Sequence, residues 1–127
     1  MNITPSASGK EIAPIAMSFH ELINKLPLTM RTKNSYGVRI EDGEIIDYHY
    51  TGPVLERVIK SEKTCRGVPK SGPYKDIPVV VVPVMENEEL LCVIGIVDIT
   101  KGIFSDLVEI SRRPEPVEPE SSKGEFY

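Results

Sequence analysis

Apolar and polar positions alternate along this chain in three distinguishable rhythms. Residues 77–84 (IPVVVVPV) and 90–97 (LLCVIGIV) are nearly unbroken apolar runs, separated by the polar break MENEE. A strand with one wet face alternates; these do not, so both their faces are expected to be covered. The polar break makes the pair a hairpin near the centre of a sheet, with Asn87 or a neighbour at positive φ. A slower rhythm occupies the N-terminal part. Ile12, Ile15, Ala16, Phe19, Leu22, Ile23 and Leu26 recur every three or four residues, one face of a helix that Pro27 stops. Pro14 is either the first-turn proline of a helix starting near Ala13 or a kink. Residues 18–21 also match a capping box, with Met17 and Leu22 as its hydrophobic staple.

Period-two alternation marks residues 36–41 and 44–50 on either side of Asp42-Gly43, a strong two-residue turn signal. Thr51 is placed to cap a second helix, Pro53 suits its first turn, and Val54, Leu55, Val58 and Ile59 form its apolar stripe. A short strand over 64–68 and a Pro/Lys/Ser/Gly loop over 69–76 lead into the apolar hairpin. After Asp98-Ile99-Thr100, the residues Ile103, Phe104, Leu107, Val108 and Ile110 predict a closing helix over 100–111. This order predicts an α+β fold with a five-stranded antiparallel sheet flanked by helices. It forms one domain over residues 11–111, between a flexible N-terminus (1–10) and a disordered, acidic, Pro-rich tail (112–127).

Composition narrows the function. The net charge of −4 opposes general nucleic-acid binding, where a basic face dominates affinity. No apolar run has the roughly 18 residues of a membrane-spanning helix, and no secretory leader is recognisable, so a cytoplasmic protein is expected. Cys92 lies within an apolar strand and reads as a small buried hydrophobe. Cys65 stands beside Arg66, a cation able to favour a thiolate, although a reduced cysteine of no special role is the simpler reading.

The chemistry-bearing residues are sparse. Tyr48, His49, Tyr50 and Thr51 gather at a strand-to-helix junction, where they line a cavity or serve as a half-buried strand end with a helix cap. There, Thr51 and the helix amides can receive an anion. Arg66, Lys70, Tyr74 and Lys75 sit in or beside the Gly/Pro loop, either as an anion site or as a solvated surface. Arg31, Lys33 and Arg39 form a further basic patch that reads as water-facing. Gly95 interrupts a strand, marking either close helix packing or close approach of a ligand. His20, His49, Cys65 and Cys92 lack metal-ligand spacing, and neither a nucleotide-binding glycine loop nor a G-x-S-x-G elbow is present. No metal, cofactor or catalytic residue is expected.

The segments HELINKLPLTMRTKNSYGVRIEDG (20–43), YTGPVLERVIK (50–60), VPKSGPYKDIPVVVVPV (68–84) and IGIVDITKGIF (94–104) resemble an uncharacterised family of small proteins from methanogenic archaea. That family implies no catalytic residues. The pattern PV…N-E-E-L-L…G-I-V-D-I-T over 77–100 is similar to the closing hairpin of PAS and GAF sensor modules. That resemblance implies a profilin-like sheet of strand order 2-1-5-4-3, with Leu91-Cys92 where such modules carry a small glycine.

Together these features predict a non-catalytic sensor module binding a small metabolite between sheet and helices. Its pocket is assigned to Tyr48, Tyr50, Thr51, Arg66 and Tyr74, with Gly95 beneath. A homodimer would cover the apolar strands, and a separate protein would carry the output. The alternatives are a protein–protein adaptor or dimerisation module, and a small enzyme working at residues 48–51 or Cys65.

Overall fold

The computed structural model describes residues 2–98. The expected closing helix and acidic tail lie outside them. The elements run α1 (Gly9–Leu22), β1 (Leu28–Thr32), β2 (Ser35–Glu41), β3 (Glu44–Tyr50), α2 (Pro53–Ser61), β4 (Cys65–Gly67), β5 (Val79–Glu86) and β6 (Glu89–Val97). The fold is α+β, and the sheet is antiparallel throughout, as expected. It has six strands rather than five, in the order β3-β2-β1-β6-β5-β4.

The extra strand is β1. It lies between the two hairpins, so they do not pair directly as the order 2-1-5-4-3 requires. Its sequence, Leu-Thr-Met-Arg-Thr, alternates apolar and polar in the manner of a half-exposed strand. Yet all five residues are buried, because a helix packs on each side. Leu28 and Met30 face α1; Thr29 and Arg31 face α2.

Helix α1 starts earlier than its apolar periodicity suggests. Ser8 is its N-cap, accepting from the Glu11 amide, while the Glu11 carboxylate accepts from the Ser8 amide. Residues 18–21 are therefore helix interior and no capping box forms there. Pro14 also sits inside the helix, which ends at Leu22, before Pro27. The segment before it, expected to be loose, is tied to the sheet. Ala7 is buried, its carbonyl accepts from Thr32 Oγ1 at 2.6 Å, and the Asn34 amide donates to the Pro5 carbonyl at 2.8 Å.

The two helices cover opposite faces of the sheet. Ile12, Ala13 and Ala16 of α1 pack on Leu28, Met30, Val38, Ile40 and Cys92. Val54, Leu55 and Val58 of α2 pack on Tyr50, Val79, Val81, Leu90 and Val93. Asp42-Gly43 and Asn87-Glu88 turn the hairpins with positive φ at all four residues, the arrangement that matches strand twist. His20 is fully buried and ties α1 to the first hairpin. Its Nδ1 donates to the Leu26 carbonyl and its Nε2 accepts from the Gly43 amide, each at 2.8 Å.

Candidate functional site

Beside the N-terminal turn of α2, between that turn, the sheet and the 69–76 loop, lies a cleft. Thr29, Tyr50, Gly52–Leu55, Ser71, Tyr74, Val79, Val81 and Gly95 line most of it, and its cavity volume is about 40 Å³. Gly95 makes this geometry possible. A Cβ there would stand 2.8 Å from Thr29 Oγ1, 3.0 Å from a Val81 methyl and 3.5 Å from a Leu55 methyl. The glycine thus serves the close helix packing and floors the cleft at once.

Two hydroxyl-bearing residues in the wall are nine-tenths buried. Thr29 is 7% exposed and Tyr50 8%. Neither hydroxyl has a protein hydrogen-bond partner among the described residues; both border the cleft and reach solvent through it, so neither is a buried unsatisfied group. Burial raises the Tyr50 phenol above its ordinary pKa, so it remains a protonated donor at neutral pH. The adjoining helix end is uncapped. Gly52 is the N-cap, in place of the expected Thr51, and has no side chain to offer. The first turn's Val54 and Leu55 amides have no carbonyl or side-chain partner among the described residues.

Tyr74 holds the loop down. Its hydroxyl donates to Glu41 Oε2 at 2.6 Å, Arg39 Nε donates to the same oxygen at 3.0 Å, and the Arg39 guanidinium lies 5.6 Å from the Tyr74 ring centre. The Tyr74 bond, aided by Arg39, holds the Glu41 carboxyl below its usual range against the opposing effect of burial. Burial first, then the bond to Glu41, raises the Tyr74 phenol.

Of the six residues assigned to a pocket, the structure brings Tyr50, Tyr74 and Gly95 together and separates the rest. Tyr48 does not share the wall with Tyr50. Between Gly37 and Arg39, one residue of β2, Val38, opposes two of β3, Tyr48 and His49; this register shift breaks the alternation and leaves Tyr48 outside, 38% exposed. Thr51 is committed elsewhere: its hydroxyl accepts from Arg31 at 2.9 Å and donates to Glu56 Oε1 at 3.3 Å. Arg66 points to the opposite sheet face, because Cys65 packs with the α2 core and side chains alternate along a strand. It pairs with Asp98 at 3.1 Å.

The cysteines are free, and they lie in different cores. Burial pushes the Cys92 thiol up to about 11, as suits a small hydrophobe. The cation beside Cys65 Sγ is Arg57, at 3.7 Å, rather than the sequence neighbour Arg66. No cluster of metal-ligating side chains occurs among the described residues, and no described helix is long and apolar enough to cross a membrane.

Sequence reasoning missed Thr29 and misread Arg31. The signal for both was the five-residue alternation of 28–32, obscured by Pro27 before it and the basic Arg31 within it. Arg31 is 5% exposed rather than water-facing. It donates to the Thr32 and Lys33 carbonyls, to Thr51 and, at 2.7 Å, to Glu56.

An α+β module with an apolar cleft between its second helix and an antiparallel sheet is the class these features define. The chain belongs to a family described as an uncharacterised protein conserved in archaea (DUF2111), whose profile matches residues 19–100. It is similar to the uncharacterised protein MJ0405 of Methanocaldococcus jannaschii, with 48% identity over 115 residues, covering 91% of this chain and 88% of the relative. No solved structure matches it.

Proposed function

We propose that the protein is a non-catalytic binding module that takes up a small molecule in the cleft between α2 and the sheet and signals its occupancy. One observation carries this reading: Thr29 and Tyr50, otherwise buried, open their hydroxyls to the cleft with no protein partner among the described residues. These hydroxyls reach solvent through the cleft, so an occupant's acceptor replaces water there, for a net gain of about 0.5–1.5 kcal/mol per hydrogen bond. The roof supplies a route for signalling. α2 and the Tyr74 loop contact the occupant, and a ligand that favours one setting of that roof shifts its population, to be read by a separate protein. Free thiols at Cys65 and Cys92 suit a reducing, cytoplasmic setting.

Native mass spectrometry of freshly purified protein tests this reading. A discrete small-molecule adduct is expected on the wild type and reduced on Thr29→Val and Tyr50→Phe. An adduct unaffected by both substitutions would place binding elsewhere.

Self-association is the second reading, favoured by an apolar face. On the side away from α2, Val82 is 38% exposed and Val84 half-buried beside it, because α1 sits over β1–β3. Sedimentation equilibrium at micromolar concentration would show a homodimer; a single monomer mass would refute one.

A further inference from the structure

We infer that the cleft selects a small uncharged aliphatic molecule bearing one hydrogen-bond acceptor, bound head-first to Thr29, Tyr50 and the first amides of α2. This inference rests on the binding reading above and specifies its ligand.

The absence of charge in the wall is the first argument. Among the described residues, no Asp, Glu, Lys, Arg or His lines the cleft. The buried Arg31 is already paired with Glu56 at 2.7 Å, and the partly buried Arg39 with Glu41 at 3.0 Å. An ion entering the cleft would lose its hydration and meet no countercharge, the costliest form of burial. The anion site expected at the helix start therefore becomes a site for a neutral acceptor. Glu56, in the first turn of α2, already places a negative charge against that helix end.

The polarity of the head follows from the donors. The Val54 and Leu55 amides only donate, and the Tyr50 and Thr29 hydroxyls can turn to do the same. A carbonyl oxygen satisfies such a set; an ammonium cannot. The remaining wall is aliphatic, chiefly Leu55, Val79, Val81 and Val97, and suits a short branched hydrocarbon body. A volume of about 40 Å³ holds roughly three waters, and so a ligand of about three to six non-hydrogen atoms.

An isosteric series tests the assignment without requiring the natural ligand. Isobutyramide, isobutyrate and isobutylammonium differ in charge and hydrogen bonding at nearly constant shape. Each is titrated into full-length protein at pH 7 and followed by backbone amide NMR. Isobutyramide is expected to saturate with shifts centred on Thr29, Val54, Leu55 and Gly95, and each ion to bind at least about tenfold more weakly. Thr29→Val and Tyr50→Phe should each weaken isobutyramide by about fivefold, with folding verified in the same spectra. Isobutyrate binding as tightly as the amide, or tighter, would overturn the neutral assignment while leaving a binding cleft in place. Isobutyramide affinity unchanged in both variants would overturn the head-group placement. Saturable shifts from none of the three, together with a clean apo mass spectrum, would overturn the binding reading itself.

Discussion

His20 shows how much one side chain contributes when both its polar atoms are used internally. Its ring nitrogens satisfy the Leu26 carbonyl and the Gly43 amide, joining the end of α1 to the tip of the first hairpin. His20→Ala strands both backbone groups and opens a cavity, and should lower unfolding free energy by about 2–4 kcal/mol in urea titration. A loss below 0.5 kcal/mol or so would mean that water replaces the ring without cost. Gly95→Ala is the complementary experiment, adding one methyl where Thr29 and Val81 leave no room. It should cost about 1–3 kcal/mol and narrow the cleft; a neutral substitution would show that α2 can lift without penalty.

Between elements, two polar latches position the roof. Glu56 ties α2 to the buried Arg31. Glu56→Ala leaves that guanidinium short of its counterion; since Glu56 is itself partly solvated, the cost should be about 2 kcal/mol. Hydrogen exchange should then accelerate in α2 and leave α1 unchanged, whereas uniform acceleration would contradict a local latch.

The second latch, Tyr74 on Glu41, makes its contribution depend on pH. A carboxyl held below its unfolded value, near 4.5, contributes stability above that pH and loses it as the pH falls through the lowered folded value. A phenol raised above its unfolded value, near 10.0, contributes below that pH and loses its contribution as the pH rises through the higher folded value. The deficit of Tyr74→Phe relative to wild type should therefore be flat, at about 1–2 kcal/mol, between roughly pH 5 and 10 and shrink toward pH 3. A deficit constant down to pH 3 would rule out the charged bond to Glu41.

Across the whole molecule, two cores lie on opposite faces of one sheet, and β1 and β6 form the seam between them. Five paired residues, from Leu28 with Ile96 to Thr32 with Cys92, join the halves. Met30 belongs to one core and Thr29 abuts the other, so neither half can lose its strand without exposing its neighbour. Unfolding should accordingly be a single transition, with far-ultraviolet circular dichroism and tyrosine fluorescence coincident in urea. Separate midpoints would show that the halves melt independently.

Local signals in the chain determined most of the elements and their turns. Asp42-Gly43 and Asn87 specify hairpins through backbone conformations available at those residues, and the apolar run 90–97 demands cover on both faces whatever provides it. Three of the six residues assigned to a pocket, Tyr50, Tyr74 and Gly95, meet at the cleft because aromatic and glycine residues at junctions are rare enough to single out. Tertiary structure alone decided the rest. Alternation reports which residues share a face, but burial of the other face depends on what packs there; hence β1 looked half-exposed while lying at the seam. Register shifts and long-range ion pairs are likewise settled by partners distant in sequence. Arg31 finds Glu56 only once the sheet has formed, and a single inserted residue in β3 parts Tyr48 from Tyr50.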